Sequence, residues 1–306
     1  MAAWTTDSIP DLSGRRAIVT GANSGLGYHT ASELAAHGAS VVLACRSAER
    51  GAAALARLRE TAPDADVSIG SLDLGDLASV RAFAAVQRGV PLDFLVNNAG
   101  VMALPRQTTA DGFEAQFGIN HLGHFALTGL LLPCLLAAES ARVVTVTSML
   151  AWGGRIRFDD LHGERRYHRW SAYSQAKVAN LIFAKELDRR VPKIVSVAAH
   201  PGYAATNLQQ TAPRLTGNKI GEAFYGLGNK IYAQSAAAGA WPSLYAATAS
   251  DVTGGETYGP RGPLQQRGRP TRVRTAGYAS GAEVGRRLWE VSEELTGVSY
   301  PAAAAV

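Results

Sequence analysis

Arg16-Ala-Ile-Val-Thr20, followed at once by Gly21-Ala-Asn-Ser-Gly-Leu-Gly27, decides the fold of this 306-residue chain. The first five residues read as a buried strand, because four of them are apolar or β-branched and none of those four carries a charge. Glycines at 21, 25 and 27 then allow a tight turn and a close approach of the backbone to a ligand. The helix predicted at 28–37 offers free N–H groups and the positive end of its dipole. A strand, a glycine-rich turn and a helix in that order cradle the pyrophosphate of a dinucleotide. Gly21, Asn23, Ser24, Gly25, Leu26 and Gly27 are the candidate contacts.

Beyond this unit the alternation repeats. Strands are predicted at 40–45, 67–71, 92–97, 142–147 and 194–199, with helices at 48–61, 77–90, 110–136 and 172–191. Apolar strands alternating with helices imply a parallel sheet covered on both faces, an α/β doubly wound (Rossmann) architecture. No linker divides the chain. The reading is a single domain over 1–306, with its core at 14–260 and a C-terminal extension at 261–306 that holds a helix at 282–295.

Composition sets limits. Hydrophobic residues make up 47%, charged residues 18%, and 32 residues are glycine, which excludes disordered, collagen-like and coiled-coil chains. Cys45 and Cys134 are too few for a disulfide framework or a thiolate zinc site. The N-terminus lacks the basic and apolar regions of a secretory signal. The apolar run at 125–138 falls short of the ~20 residues that span a bilayer. The expectation is a cytoplasmic protein without a membrane anchor. The net charge of +5 is matched by one stretch, Arg261 to Arg274, with five arginines and no acid. No aromatic residue interleaves them, so a solvated segment is expected rather than a nucleic-acid site.

The second predicted strand ends Leu43-Ala-Cys-Arg46, with no acid where NAD sites usually carry one. Arg46 suits a 2′-phosphate, and NADP(H) is the expected cofactor. Tyr173 and Lys177 are four apart and share one helix face. A nearby ammonium is expected to lower the pKa of the phenol and fit it for general acid–base work.

Together with the glycine-rich turn, these residues resemble the short-chain dehydrogenase/reductase family over roughly residues 14–250. The resemblance implies roles for further positions. Asn98, Ala99 and Gly100 in Asn97-Asn-Ala-Gly100 would line the cofactor, and Asp73 with Leu74 would meet the adenine. Pro201, Gly202 and Thr206 would form the loop at the nicotinamide. Asn120 would hold a water beside Lys177, and Ser148 would hydrogen-bond the substrate oxygen. Tyr173 would pass the proton, and Lys177 would also bind the nicotinamide ribose. Thr147 beside Ser148 leaves a choice of hydroxyl, and the resemblance over the strand end favours Ser148.

The spacing of 25 residues from Ser148 to Tyr173 exceeds the family's usual dozen. With Leu-Ala-Cys-Arg and Asn120-His-Leu-Gly-His-Phe125 it points to the retinol-dehydrogenase-like branch. The implied activity is hydride transfer between NADP(H) and a carbonyl or alcohol of an apolar small molecule. Reduction of a carbon–carbon double bond, or a non-catalytic NADP(H) sensor, are the alternatives. Trp152, Tyr203, Phe224, Tyr225, Trp241 and the segment 208–232 are candidate linings of an apolar pocket. No metal is required; His121 and His124 are expected to pack beside the cofactor, and Cys45 to be a plain strand-end thiol. A homodimer through the helices at 110–136 and 172–191 is expected.

Overall fold

The computed structural model describes residues 4–203, 234–275 and 277–301. Its strands are β1 (Arg16–Thr20), β2 (Ser40–Cys45), β3 (Val67–Ser71), β4 (Phe94–Asn97), β5 (Arg142–Val146), β6 (Val195–Ala199), β7 (Thr257–Pro260) and β8 (Pro270–Arg272). They form one sheet in the order β3-β2-β1-β4-β5-β6-β7-β8. The first seven are parallel and β8 is antiparallel to β7. The order reverses between β1 and β4, and a ligand crevice opens where such a reversal leaves the carboxyl ends of the strands.

Helices cover both faces of this single α/β domain. They are α1 (Gly25–Ala36), α2 (Ala48–Thr61), α3 (Leu77–Gln87), α4 (Ala115–Ala137), α5 (Arg169–Arg190), α6 (Ala236–Thr248) and α7 (Ala282–Thr296). Successive strand residues serve opposite faces, as the pleat dictates. Val19, Val41, Leu43 and Val144 pack in one core with α1, α2 and α6. Ile18, Val42 and Val143 pack in the other with α3, α4, α5 and α7. Both faces are dry, so the central strands read as continuous apolar runs.

Three expectations change. The helix that holds most of the run at 125–138 is 23 residues long, with a mean hydropathy of 1.4 over its most apolar 18 residues, so length and composition alone would let it cross a bilayer. Its apolar surface is spent inside the fold, where 72% of its most apolar window is buried. The arginine-rich stretch is more than a solvated segment, although all five of its arginines are exposed. Its centre forms β8, which extends the sheet beyond β7, and Arg272 pairs with Glu256 at 2.8 Å. A three-residue edge strand holding two polar residues gave too little alternation to be seen.

The third change concerns α4 and α5. The face expected to meet a second copy is covered by α7 and the residues that follow it. Phe125, Phe183, Trp289 and Tyr300 form an aromatic cluster, with ring centroids 5.1 Å apart for Phe125 and Trp289 and 4.6 Å for Trp289 and Tyr300. The buried Tyr300 hydroxyl donates to the Phe125 carbonyl at 2.7 Å. The chain itself supplies the cover, so this face is closed to a symmetric four-helix contact.

Candidate active site

The loop after β1 is built on glycine. Gly21 and Gly25 have φ of 66° and 55°, in the left-handed region that side chains disfavour. At Gly27 the reason is space: a Cβ would lie 2.5 Å from the Gly21 carbonyl oxygen and 2.4 Å from Asn98 Nδ2. Ser24 is the N-cap residue of α1, yet its side chain makes no capping bond. The first N–H groups of the helix therefore stay available, as an anion requires. Asn23 and Leu26 lie within this turn. This cradle fits a dinucleotide pyrophosphate.

Asn98 locks the loop to the end of β4. Its side chain donates to the Thr20 carbonyl at 2.7 Å, while the backbone N–H groups of Asn98 and Ala99 both donate to Thr20 Oγ1 at 2.9 Å. At the end of β2 stands exposed Arg46, with no hydrogen bond or ion pair to any described residue. Cys45 beside it is buried, and that burial pushes its thiol up to about 11, with hydrogen bonds from the Ala22 and Asn23 backbone opposing the rise. The neighbouring arginine does not activate it. After β3, Asp73 Oδ1 accepts from the Gly75 N–H at 2.9 Å, while Leu74 is buried with its carbonyl facing Gly123. Gly202 has φ of 66°, and the Pro201 carbonyl accepts from Gln234 at 2.5 Å. Thr206, Phe224, Tyr225 and the segment 208–232 lie outside the described residues.

The catalytic candidates meet at the carboxyl ends of β4 and β5. Ser148 starts the turn after β5 and accepts from the Leu150 N–H at 3.3 Å. Thr147 is buried, and its hydroxyl donates to the Lys177 carbonyl at 2.7 Å. Only Ser148 is left to face the crevice. Tyr173 and Lys177 are one turn apart on α5 and both are buried, with Nζ 5.9 Å from the phenol ring centre. Asn120 is fully buried in a π-helical segment of α4, Gly118–Leu122. Such segments concentrate at functional sites, because they redirect backbone groups. Its side chain pairs twice with the Val101 backbone, accepting at 2.8 Å and donating at 2.9 Å. Gly100 closes the group: a Cβ there would stand 3.0 Å from Asn120 Oδ1 and 3.6 Å from Lys177 Nζ.

The electrostatics differ from the expected ones. Burial takes the Tyr173 phenol up to about 12, against a smaller lowering by a hydrogen bond with Ser148. Lys177 is not among the causes. Its ammonium donates to the Val146 carbonyl at 3.0 Å, and burial brings its own pKa down to about 8. An unfolded lysine titrates near ~10.4, so between about 8 and that value the folded state holds fewer protons, and stability rises with pH. The melting temperature of the wild type minus that of Lys177→Met should therefore grow as the pH rises through this window. A difference that stays flat would contradict the burial of the ammonium.

Two residues absent from the sequence reading belong here. Thr20 is the hydroxyl on which the Asn98 and Ala99 backbone converges, and Val101 clamps Asn120. His121 and His124 do pack, but each also bonds: His121 Nε2 to Ser292 at 2.9 Å and His124 to Thr20 and to the Asn120 backbone. They point to different partners, and among the described residues no three His, Cys, Asp or Glu side chains gather as a metal site would need. Trp241 belongs to α6 and packs, partly buried, against the core that this helix shares with α1 and α2. Tyr203 is half-buried beside Gly202.

Comparisons with known proteins agree with this geometry. Residues 15–215 match the family model described as short chain dehydrogenase. The chain is 40% identical over 302 residues to human retinol dehydrogenase 13, covering 95% of this chain and 87% of the relative. It is 37% identical over 295 residues to mouse retinol dehydrogenase 12, covering 94% and 88%. A crystal structure of an uncharacterized protein from Mycobacterium paratuberculosis is 42% identical, with a TM-score of 0.80, covering 98% of this chain and all of that one.

Proposed function

The chain belongs to the short chain dehydrogenase family, in its retinol-dehydrogenase-like branch, and from that premise we propose that it is an NADP(H)-dependent reductase or dehydrogenase of apolar aldehydes, ketones or alcohols. Membership makes it an oxidoreductase that uses a nicotinamide cofactor on a small molecule. The observation that carries the finer reading is the exposed Arg46 at the end of β2, which pairs with no described residue and stands where an acid would repel a 2′-phosphate. The apolar substrate class is supported by Leu150 and Trp152, which follow Ser148 and stay 44% and 51% exposed. A cytoplasmic location is part of the proposal, supported by two free cysteines.

A nicotinamide cofactor, when bound, would supply or accept the hydride. Ser148 donates a hydrogen bond to the substrate oxygen, so that charge developing there meets a fixed dipole. Tyr173 keeps its proton through the neutral range, because burial holds its pKa near about 12, and gives it to that oxygen as an alkoxide forms. Lys177, anchored on the Val146 carbonyl, sets a positive charge beside the site and would hold the nicotinamide ribose. Asn120, clamped on Val101, holds the water through which the proton of Tyr173 is replaced.

A carbonyl panel followed at the nicotinamide absorbance, together with thermal shifts for NADP and NAD, tests the reading. NADP should give the larger stabilisation at equal concentration. Arg46→Asp should weaken NADP(H) binding by about 10- to 100-fold, the worth of one or two charge-assisted hydrogen bonds, and turn the preference toward NAD. A stronger wild-type response to NAD would sink the cofactor assignment. Preference for small hydrophilic carbonyls over bulky apolar ones would sink the substrate class.

A further inference from the structure

His124 stands between the cofactor loop and the π segment, and its hydrogen bonds leave a single protonation pattern. Thr20 Oγ1 accepts from the Asn98 and Ala99 N–H groups, both at 2.9 Å, which uses both of its lone pairs. Its one proton must go outward, toward His124 Nε2 at 2.9 Å or the Val96 carbonyl at 3.3 Å. On the other side of the ring, His124 Nδ1 lies 2.9 Å from the Asn120 carbonyl oxygen. A carbonyl only accepts, so Nδ1 carries the hydrogen and Nε2 offers its lone pair to Thr20. The ring is 1% exposed, and burial holds it neutral with a pKa of about 4. The network thus assigns the Nδ1–H tautomer.

The backbone of His124 is held as well. Its carbonyl accepts from Thr128 Oγ1 at 2.8 Å, and that hydroxyl in turn accepts from Asn97 Nδ2 at 3.0 Å. One imidazole therefore spans from the last residue of β1 to Asn120, whose Oδ1 borders Gly100 together with Lys177 Nζ. We propose that His124 is a positioning residue for the reaction: by tying the Asn120 carbonyl to Thr20, it fixes the π segment to the cofactor loop and sets Asn120 against Val101 and Lys177. The inference rests on the reading of Asn120 and Lys177 as part of the active site.

The two ring nitrogens are separable by substitution. Asparagine at 124 places a donor near the position of Nδ1 and loses the link to Thr20. Glutamine reaches the position of Nε2 and loses the donor to Asn120. Phenylalanine fills the space and removes both. With NADPH and a medium-chain aliphatic aldehyde as the probe, His124→Phe should lower kcat about 10- to 100-fold, the scale of a misplacement near 1 Å, with KM changing far less. His124→Asn should recover part of that loss and His124→Gln should not. Amide hydrogen exchange on the cofactor-free protein gives a second readout. His124→Phe should speed exchange in peptides covering 101 and 118–123 and leave those of β5 and β6 unchanged.

Equal losses in all three variants that follow their melting temperatures would reduce His124 to a packing residue and overturn the proposal. So would a His124→Phe enzyme within twofold of the wild-type kcat, or unchanged exchange at 118–123. If the wild type reduces the aldehyde and Tyr173→Phe does not, while His124→Phe stays active, only this inference fails. If Tyr173→Phe itself stays active, the reading of the site fails first.

Discussion

Tyr173→Phe should lower kcat/KM for carbonyl reduction by about 10³-fold, close to 4 kcal/mol of transition-state stabilisation, while NADPH binding and melting temperature stay near those of the wild type. The substitution removes one oxygen from a buried residue whose ring stays packed, so the fold loses only the contact with Ser148. The chemistry loses its proton donor. Ser148 still polarises the substrate oxygen, but a serine hydroxyl is a far weaker acid than a phenol. Direction matters here. With the phenol held near about 12, donation is available across the neutral range, whereas alcohol oxidation needs the phenolate and should gain as the pH rises. A variant that keeps more than a tenth of the activity would remove Tyr173 from the proton path.

A single methyl group at Gly27 should do comparable damage by a different route. The Cβ of Gly27→Ala would meet the Gly21 carbonyl oxygen at 2.5 Å and Asn98 Nδ2 at 2.4 Å. Neither can yield cheaply. Gly21 has φ of 66° and already abuts the Ala99 backbone, and Asn98 is bonded to the Thr20 carbonyl at 2.7 Å. The first turn of α1 must move away from the loop and take its free N–H groups with it. Overpacking of this kind costs about 1–3 kcal/mol in stability, and NADPH affinity should fall by about 100-fold or more because the anion site itself is displaced. Gly153→Ala is the matched control, since a Cβ there meets no atom of the described residues within 4 Å. Thermal shift with and without NADPH separates the two losses. Equal NADPH stabilisation of wild type and Gly27→Ala would show that the cradle tolerates the methyl group.

The sheet and the phosphate turn were legible because they are written in local sequence. β1, β2 and β3 and helix α2 carry the bounds read from composition alone, and Gly21, Gly25 and Gly27 announce a turn with their own stereochemistry. The first helix begins at Gly25 rather than 28, because two of those glycines belong to its first turn. What escaped depends on residues distant in sequence. β8 exists only by pairing with β7, and nothing in Pro270-Thr-Arg272 marks a strand without that neighbour. The link from Thr20 to His124 crosses 104 positions, so a histidine on an apolar helix read as packing and no more. The pKa of Tyr173 was misjudged for a related reason. Spacing along a helix reports that a lysine is near, but only the packed fold reports how much water the phenol has lost.

The helix that closes over α4 and α5 is the last element of the described chain. During synthesis the sheet strands and both of those helices emerge before it, and domains begin to fold as they leave the ribosome. Until residues 282–300 arrive, Phe125 and Phe183 stand without Trp289 and Tyr300. A nascent chain halted short of that point carries a nearly finished nucleotide fold with an aromatic patch open to water, a ready client for a chaperone. The arrival of that helix takes the patch out of water.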